Sequence, residues 1–344
     1  MNEQAARSPY VFNRFDWFCV WYPPAWLILF NRHWHHYKPN SDGWNWLEYV
    51  LFLIPGGFYL AFVMRWLRMK FRSFFYSKDE LNHKFNDDSN NGVIPDPEYQ
   101  QAFRQEILMP IAKRYFRAEL HLNNDRLPAS GPLIVALNHA GMCFPWDFLC
   151  LSLLLGEQRD WFVQPLAHAL FFDHPWLKWW LPNGWAYVLG GVRAETESFE
   201  AAIAQKTVML YAPEGWRGLA KGWHQRYQLA NFDSSFVRLS VRYQVPILPV
   251  ICIGSETLHP FAFNARWIAR LFKMPMFPVS PLLPIFAWAV RSRLNYHVQP
   301  LWRPWETLSL QPNQTPRLTV LHRLAQELRS RLQLSMDSLI GDRR

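Results

Sequence analysis

Cysteine is scarce in this sequence, and its arrangement excludes several classes of protein. The 344 residues include four cysteines, and no two of them form a C-x-x-C pair or follow the spacing of a zinc site. Disulfide scaffolds and zinc knuckles are therefore not expected, and a reducing compartment is the simpler interpretation. A clear signal-peptide cleavage site is also missing, which favours a cytoplasmic location for the catalytic part.

Acidic residues are outnumbered by basic ones. The chain has 27 Asp and Glu against 36 Lys and Arg, a net charge of +9, so a negatively charged partner is expected. Charge alone does not choose among lipid headgroups, nucleic acid and phosphorylated small molecules. Aromatic residues are abundant, with 19 Trp and 13 Tyr, and these side chains suit membrane interfaces above all.

Long uninterrupted hydrophobic runs are missing as well. Two uncharged stretches, residues 17–30 and 49–64, lie near the start, and each is broken by proline. As a helix the second would cover roughly 24 Å, short of the ~30 Å hydrocarbon core, so it spans only with help from its flanks. Four basic residues follow it at once and place that end on the cytoplasmic side. These are Arg65, Arg68, Lys70 and Arg72.

The sequence predicts three regions. Residues 1–76 form a hydrophobic helical region that associates with a membrane, either as a hairpin or as helices in the interface; a buried helical cap on the core is the alternative. Residues 77–98 are polar, contain two prolines and predict a linker. Residues 99–344 form the catalytic domain.

Short apolar runs alternate with amphipathic helical patterns in the third region. This alternation predicts an α/β fold with a mostly parallel sheet flanked by helices on both faces. The predicted strands are 132–137, 161–166, 185–189, 207–211, 246–253 and 296–301. The predicted helices are 146–155, 197–204, 234–243 and 318–334.

Polar residues follow three of the predicted strands. Asn138 and His139 come after the first, the segment "GGVR" ending in Arg193 comes after the third, and "APEGWRG", residues 212–218, comes after the fourth. Because ligands of open parallel sheets bind beyond the carboxyl ends of the strands, these segments are expected to form one site.

The residue types at this edge suit proton transfer and anion binding. A histidine can take a proton from a hydroxyl, a carboxylate beside it can hold the ring in the useful tautomer, and arginines bind phosphate or an oxyanion. No G-x-S-x-G nucleophile elbow occurs in the chain, so a hydroxyl of the substrate is the natural target of the base. Activation of a substrate hydroxyl indicates group transfer.

Four segments in order resemble a known family. "NHAGMCFPWD", "GGVR", "YAPEGWRG" and "VPILPV" followed by "GSET" are similar to the successive motifs of the glycerolipid and lysophospholipid acyltransferases, the PlsC-like superfamily. The resemblance covers roughly residues 115–305. It implies the acyltransferase α/β fold, His139 as general base and Asp147 as its orienting carboxylate. It further implies substrate-binding roles for Arg193, Glu214, Gly215 and Arg217.

Two departures from the family pattern bear on the acceptor. Seven residues separate His139 from Asp147, where four are usual, and this wider spacing is more similar to the monoacylglycerol and diacylglycerol acyltransferase subgroup. Trp216 stands where a small polar residue is common, which changes the shape of the acceptor site.

Simpler interpretations exist for several of these residues. Asp147 could be the N-terminal charge of the following helix, and Glu214 and Arg217 could form a structural ion pair. Lys221, His224 and Arg226 either clamp an anionic donor or form a solvated basic face. The "HWHH" segment, residues 33–36, indicates an interfacial loop more than a metal site.

The sequence therefore predicts a membrane-associated O-acyltransferase. An acyl thioester of coenzyme A or acyl carrier protein is the donor, and a lysophospholipid, acylglycerol or glycolipid is the acceptor. No metal, redox cofactor or nucleic-acid partner is expected. A lipid esterase or thioesterase, and a non-catalytic membrane protein that binds lipid, are the alternatives.

Overall fold

The structure is a computed structural model of the chain, and it divides into two compact units. The smaller unit holds residues 1–110, 167–193 and 283–288; the larger holds residues 111–166, 194–282 and 289–344. The residues that the structure describes are 8–39, 44–75, 96–122, 127–139, 145–159, 161–173, 185–271, 275–281, 290–308 and 316–341. Most of the predicted linker, and residues 140–144 of the first motif, lie outside these ranges.

Helices and strands alternate through most of the described chain. The strands are β1 Glu119–Leu122, β2 Leu133–Leu137, β3 Val163–Ala167, β4 Val192–Arg193, β5 Val208–Tyr211, β6 Ile247–Ile253, β7 Phe263–Asn264, β8 Pro278–Val279 and β9 Asn295–Val298. The α-helices are α1 Arg14–Trp21, α2 Trp26–Tyr37, α3 Trp46–Phe52, α4 Gly57–Phe75, α5 Pro97–Phe103, α6 Trp146–Arg159, α7 Leu170–Asp173, α8 Trp185–Val188, α9 Thr196–Ala204, α10 Trp216–Leu219, α11 Ser235–Tyr243, α12 Arg266–Leu271, α13 Pro304–Thr307 and α14 Leu318–Gly341.

A mostly parallel sheet forms the centre of the larger unit, as predicted. Strands β1, β9, β6, β2, β5 and β3 lie side by side in that order. Strand β2 runs parallel to both neighbours, so that Val135 lies opposite Leu210 on one side and Leu248 on the other. Strand β9 runs antiparallel to β6, and β1 runs parallel to β9, so these two strands oppose the direction of the others in this sheet.

Helices cover the sheet because its central strands are apolar on both faces. Ile134 and Ala136 of β2 belong to a buried cluster that includes Phe199 of α9, Phe236 of α11 and Leu328 of α14. Alternate residues of a strand point to opposite faces, and all five residues of β2 are buried, so its second face is covered as well. This two-sided burial explains the uncharged run that the sequence shows here.

One predicted strand is wrong. Residues 185–189 were expected to be extended, but Trp185–Val188 form the short helix α8 and Gly190 follows with a positive φ of 81°. An apolar run of this length carries no periodicity that separates a buried strand from one turn of buried helix. Strand β1 was not predicted, because the segment ELHL is short and half polar.

The smaller unit begins with four helices, and capping boxes fix the starts of two of them, α1 and α3. The side chain of Asn13 accepts a hydrogen bond from the Asp16 backbone N–H, and the Asp16 carboxylate accepts one from the Asn13 N–H, which closes a capping box. Asp16 is buried and forms an ion pair with Arg32. Asn45 and Glu48 repeat this arrangement at the start of α3.

Large apolar side chains remain exposed on these same helices. The exposed fractions of four of these residues are 49% for Phe18, 75% for Trp46, 60% for Leu60 and 64% for Phe71. Within the described ranges, no helix combines the length and the hydropathy needed to cross a membrane. The predicted association of residues 1–76 with a membrane stays a prediction.

Candidate active site

His139 lies just past the carboxyl end of β2, and its neighbour Asn138 fixes that end to β6. The Asn138 side-chain amide donates to the Cys252 carbonyl over 3.1 Å, and its oxygen accepts from the Cys252 N–H over 2.6 Å. Both groups are buried. This pair of bonds continues the sheet through a side chain and holds the His139 backbone rigidly beside β6.

The imidazole of His139 is bonded to Asp147. Its Nδ1 lies 2.8 Å from the Asp147 Oδ2 in a buried setting. Asp147 stands in the first turn of α6, where its other oxygen accepts from the Phe148 N–H over 3.0 Å. The hydroxyl of Tyr296 donates to the Asp147 carbonyl over 2.8 Å. Asp147 therefore bonds both to the backbone at the start of α6 and to the His139 ring, although seven residues separate it from His139 in the sequence.

Glu214 holds three elements of the site together. Its Oε1 accepts from the His139 N–H over 2.9 Å, and its Oε2 accepts from the Lys221 ammonium over 2.7 Å and from the Ala230 N–H over 2.6 Å. The partner of Glu214 is thus Lys221, and the alternative pairing with Arg217 is not the one present. Lys221 is nearly buried, so it is not part of a solvated basic face.

The turn after β5 brings the chain against His139. Gly215 adopts φ 54° and ψ −146°, a conformation that favours glycine. A side chain at Gly218 would place its Cβ 2.7 Å from the Cβ of His139, so only glycine fits there. Arg217 is exposed, with its guanidinium 5.9 Å from the centre of the Trp216 ring.

Arg193 belongs to the smaller unit. It lies in the two-residue strand β4, and its guanidinium stacks 5.1 Å from the centre of the Phe172 ring. The helix at Trp185–Val188 removes the strand end that was expected to present it. Its predicted substrate-binding role stays a prediction.

Three buried polar residues near this edge were not singled out from the sequence. Ser255, Glu256 and His259 follow β6 and are all at most 5% exposed. Burial raises the pKa of Glu256 to about 7 and lowers the pKa of His259 to about 4, and the Asp147 charge adds to the first shift and opposes the second. The segment "GSET" was the available signal, but nothing in its spacing distinguishes buried polar side chains from an ordinary turn.

In the part of the chain that the structure describes, no group of three or more His, Cys, Asp and Glu side chains could hold an ion. In the "HWHH" segment, His33 is buried, with one ring nitrogen 3.2 Å from the Tyr99 hydroxyl and the other 2.9 Å from Glu106.

The sequence around this histidine–carboxylate pair matches a known family. Residues 119–253, which include β1 to β6, match the family model described as Acyltransferase. This segment of the chain is similar to that family. His139, Asp147, Arg193, Glu214, Gly215 and Arg217 all lie inside it.

The chain also has relatives of similar sequence in mycobacteria. An uncharacterized protein of Mycobacterium tuberculosis strain H37Rv is 32% identical over 195 residues, which are 55% of this chain and 52% of the relative. A protein of Mycobacterium leprae, also uncharacterized, is 32% identical over 195 residues, 55% of this chain and 51% of the relative. The chain spans about half the length of these curated relatives.

A solved structure resembles the chain more distantly. The 1-acyl-sn-glycerophosphate (LPA) acyltransferase PlsC from Thermotoga maritima is 15% identical, with a TM-score of 0.41, and the match covers 80% of this chain and 97% of that one.

Proposed function

We propose that this chain is a membrane-associated O-acyltransferase that moves an acyl chain from an acyl thioester to the hydroxyl of a lipid acceptor, with His139 as the general base. The observation that carries the proposal is the buried 2.8 Å bond between His139 Nδ1 and Asp147, inside the segment that matches the Acyltransferase family model.

The bond to Asp147 determines which nitrogen acts. A carboxylate accepts from Nδ1–H, so the neutral ring carries its free electron pair on Nε2. This nitrogen takes the proton of the acceptor hydroxyl as the oxygen attacks the thioester carbonyl. The C–S bond then breaks, and His139 returns the proton to the leaving thiolate, which gives an ester and a free thiol. Asp147 stabilises the imidazolium that exists between the two transfers.

Glu214 acts as a positioning residue in this scheme. Its two oxygens bond to the His139 N–H, Lys221 and Ala230, so the carboxylate is engaged by the protein itself. The exposed Arg217 is the basic side chain of the motif that is available to an anionic carrier such as coenzyme A. Gly215 lets the backbone of this turn approach the substrate.

The acceptor is a lipid alcohol. The wide separation of His139 and Asp147 favours the subgroup similar to monoacylglycerol and diacylglycerol acyltransferases. Trp216, which is exposed beside Arg217, stands where a small polar residue is common in the family and so changes the shape of the acceptor site. Coenzyme A and acyl carrier protein are both candidate carriers of the acyl group.

The exposed apolar side chains of α1 to α4 are the membrane-binding surface in this proposal. Trp46 is 75% exposed and Leu60 is 60% exposed, and soluble surfaces rarely gather so many such residues. Helices with an apolar face and flanking basic residues lie in the headgroup region of a bilayer. The catalytic region would then work on the cytoplasmic side.

The test of acyl transfer uses the purified full-length chain. It is incubated with mixed acyl-CoA and acyl carrier protein donors and a total lipid extract, and new esters are followed by mass spectrometry. His139→Ala should lower the rate of their formation by on the order of 10² to 10⁴, while His322→Ala, at an exposed histidine of α14, should leave it unchanged. Release of free fatty acid that does not depend on an acceptor would instead support the thioesterase alternative.

The test of membrane binding is flotation with anionic vesicles. Trp46→Asp combined with Leu60→Asp should weaken flotation. His322→Asp is the control for the added charge, because His322 is exposed but lies on α14 of the larger unit. Equal flotation of all three proteins would contradict the assignment of this surface.

A further inference from the structure

A group of large apolar side chains is exposed on the larger unit in the segment after β6. The chain there forms the ribbon of β7 and β8 and the helix α12. The exposed fractions are 60% for Phe261, 48% for Phe263, 72% for Trp267 and 71% for Leu271. We call these four residues the β7–α12 patch. Apolar residues exposed singly are ordinary, but a group of them on one short segment indicates a surface that a partner covers.

Helix α12 exposes basic and apolar side chains together. Arg266 and Arg270 are four residues apart, so they lie on one face of the helix. Trp267 and Leu271 have the same spacing and lie on the adjacent face. All four side chains are exposed, whereas Ala269 is buried against the unit. This arrangement is typical of a helix at the surface of a bilayer, where apolar side chains enter the acyl boundary and guanidinium groups reach the phosphates.

The turn before β7 holds Phe261 in a strained conformation. Its φ is 60°, in the left-handed region that a bulky side chain rarely adopts. The ring centre lies 5.5 Å from that of Trp223, and the Trp223 N–H donates to the Ala262 carbonyl over 2.8 Å. The fold therefore fixes this turn with an apolar ring largely in solvent, which burial within the unit does not explain.

The patch belongs to the part of the larger unit that surrounds His139. Strands β2 and β6 are parallel neighbours, so the chain leaves both at the same edge of the sheet. Trp223, which contacts the patch, follows Lys221 by two residues, and Lys221 bonds to Glu214. Glu214 in turn accepts from the His139 N–H. A partner bound to the patch is therefore held beside the catalytic edge.

Charge and composition indicate which partner fits. Residues 257–305 contain no Asp or Glu, and residues 274–290 contain no charged residue at all. The basic residues closest to the patch in the sequence are Arg266, Arg270 and Lys273. A bilayer with anionic headgroups suits both features, because it attracts basic groups to its surface and takes apolar side chains into its interface. A second copy of the chain would instead bring arginines against arginines.

We infer that the β7–α12 patch is a second membrane-contact surface, distinct from that of α1 to α4, and that it binds a bilayer with anionic headgroups. Phe261, Trp267 and Leu271 enter the interface, while the two arginines of α12 pair with lipid phosphates. The contact itself does not depend on acyl transfer. Its use, which is to present the catalytic edge to the bilayer that holds a lipid acceptor, rests on the function proposed above.

The first experiment compares two leucines of equal exposure. Leu271 of the patch and Leu334 of α14 are each 71% exposed. The full-length protein is mixed with vesicles of phosphatidylcholine and phosphatidylglycerol, and the bound fraction is measured by flotation over a range of lipid concentrations. Leu271→Asp should lower the apparent affinity roughly tenfold, because one apolar side chain leaves the interface, and Leu334→Asp should not lower it. Equal affinities of the two variants would overturn the patch as a membrane surface.

The second experiment tests the arginines at constant net charge. Arg266→Gln with Arg270→Gln is compared with Arg238→Gln with Arg242→Gln, which removes two exposed arginines at the same spacing on α11. The first pair should weaken binding to the anionic vesicles at least about fivefold more than the second, since basic groups act only near the membrane surface. On vesicles of phosphatidylcholine alone, the two proteins should bind alike. An equal loss on anionic vesicles would show that net charge determines binding and would overturn the role of Arg266 and Arg270.

The third experiment separates the patch from the reaction. Flotation needs no acyl donor, so its result remains valid if no acyl transfer is found and the proposed function fails. Where transfer is found, Leu271→Asp should lower the rate on an acceptor in vesicles roughly tenfold and leave the rate on the same acceptor in detergent micelles unchanged. Equal losses in both would overturn a role at the bilayer. Unchanged vesicle affinity with lost binding to an acidic protein, with acyl carrier protein as the probe, would assign the patch to that partner and overturn the membrane inference.

Discussion

Two histidine–carboxylate pairs, one in each unit, have nearly the same geometry. His139 in the larger unit lies 2.8 Å from Asp147, and His33 in the smaller unit lies 2.9 Å from Glu106. Both rings are buried. By distance and burial alone, either pair could be taken for a general base with its orienting carboxylate.

The second ring nitrogen separates the two pairs. The His33 Nδ1 lies 3.2 Å from the Tyr99 hydroxyl, so both nitrogens are engaged within a helical interior. For His139, Asp147 is the hydrogen-bond partner of the ring among the described residues. A base needs a nitrogen that substrate can reach, and His33 has none to offer. We expect His33 to stabilise its unit and His139 to carry the chemistry.

The largest expected effect is on acyl transfer in His139→Ala. Loss of the general base should lower the rate by on the order of 10² to 10⁴ while circular dichroism and the denaturation midpoint stay close to wild type. His33→Ala is the matched substitution, and its folded fraction should retain the wild-type rate per molecule. A rate loss in His33→Ala as large as in His139→Ala would remove the distinction between the pairs.

Replacing the carboxylates sharpens the same contrast. Asp147→Asn should lower kcat by roughly 10²-fold, because the amide favours the wrong tautomer and leaves the imidazolium unstabilised. Glu106→Gln should leave kcat unchanged, since no substrate meets His33. Steady-state kinetics with one donor and one acceptor measures both. A wild-type kcat in Asp147→Asn would show that Asp147 stabilises the start of α6 and has no part in catalysis.

The contrast also shows what the sequence could and could not predict in the fold. Strand β2 could be predicted, because burial on both faces leaves five consecutive apolar residues between polar flanks. Helix α8 could not be predicted, because its four residues form less than two turns, and an apolar segment this short is equally compatible with a strand. Tertiary packing chose between the two.

In the site, spacing and residue type pointed to His139 and Asp147 but not to their supports. Glu214 has Arg217 three residues later and Lys221 seven residues later, and only the turn at Gly215 determines which cation reaches it. Sequence spacing favoured the nearer one. The buried polar residues after β6 were missed for a related reason: whether Glu256 faces solvent or the interior depends on the path of the chain after Gly254.

His33→Ala should have its main effect on stability. The substitution removes a fully buried ring and leaves Glu106 and Tyr99 without their bonds to it, which should cost about 1 to 3 kcal/mol of the free energy of unfolding. Chemical denaturation followed by tryptophan fluorescence measures the loss. His322→Ala on the exposed face of α14 is the control and should change stability little. Equal midpoints for the two variants would contradict a structural role for His33.

The smallest expected effect is the pH dependence of stability that His33 supplies. Burial lowers the pKa of His33 to about 4, and the bond to Glu106 opposes this shift without cancelling it. The unfolded chain, with an ordinary histidine pKa, then binds a proton below about pH 6.5 that the folded chain binds only near pH 4. Stability therefore falls as pH decreases through this window, and the share due to His33 between pH 7 and pH 6 is roughly 0.7 kcal/mol.

His33→Gln keeps a donor for Glu106 but cannot titrate, so its stability should fall less than that of wild type over this interval. His259 shifts in the same direction but is present in both proteins, so its contribution cancels in the difference. Urea midpoints at pH 7 and pH 6 measure how steeply the stability of wild type and of His33→Gln changes with pH. Equal changes in the two proteins would mean that the folded protein binds a proton at His33 as readily as the unfolded chain does.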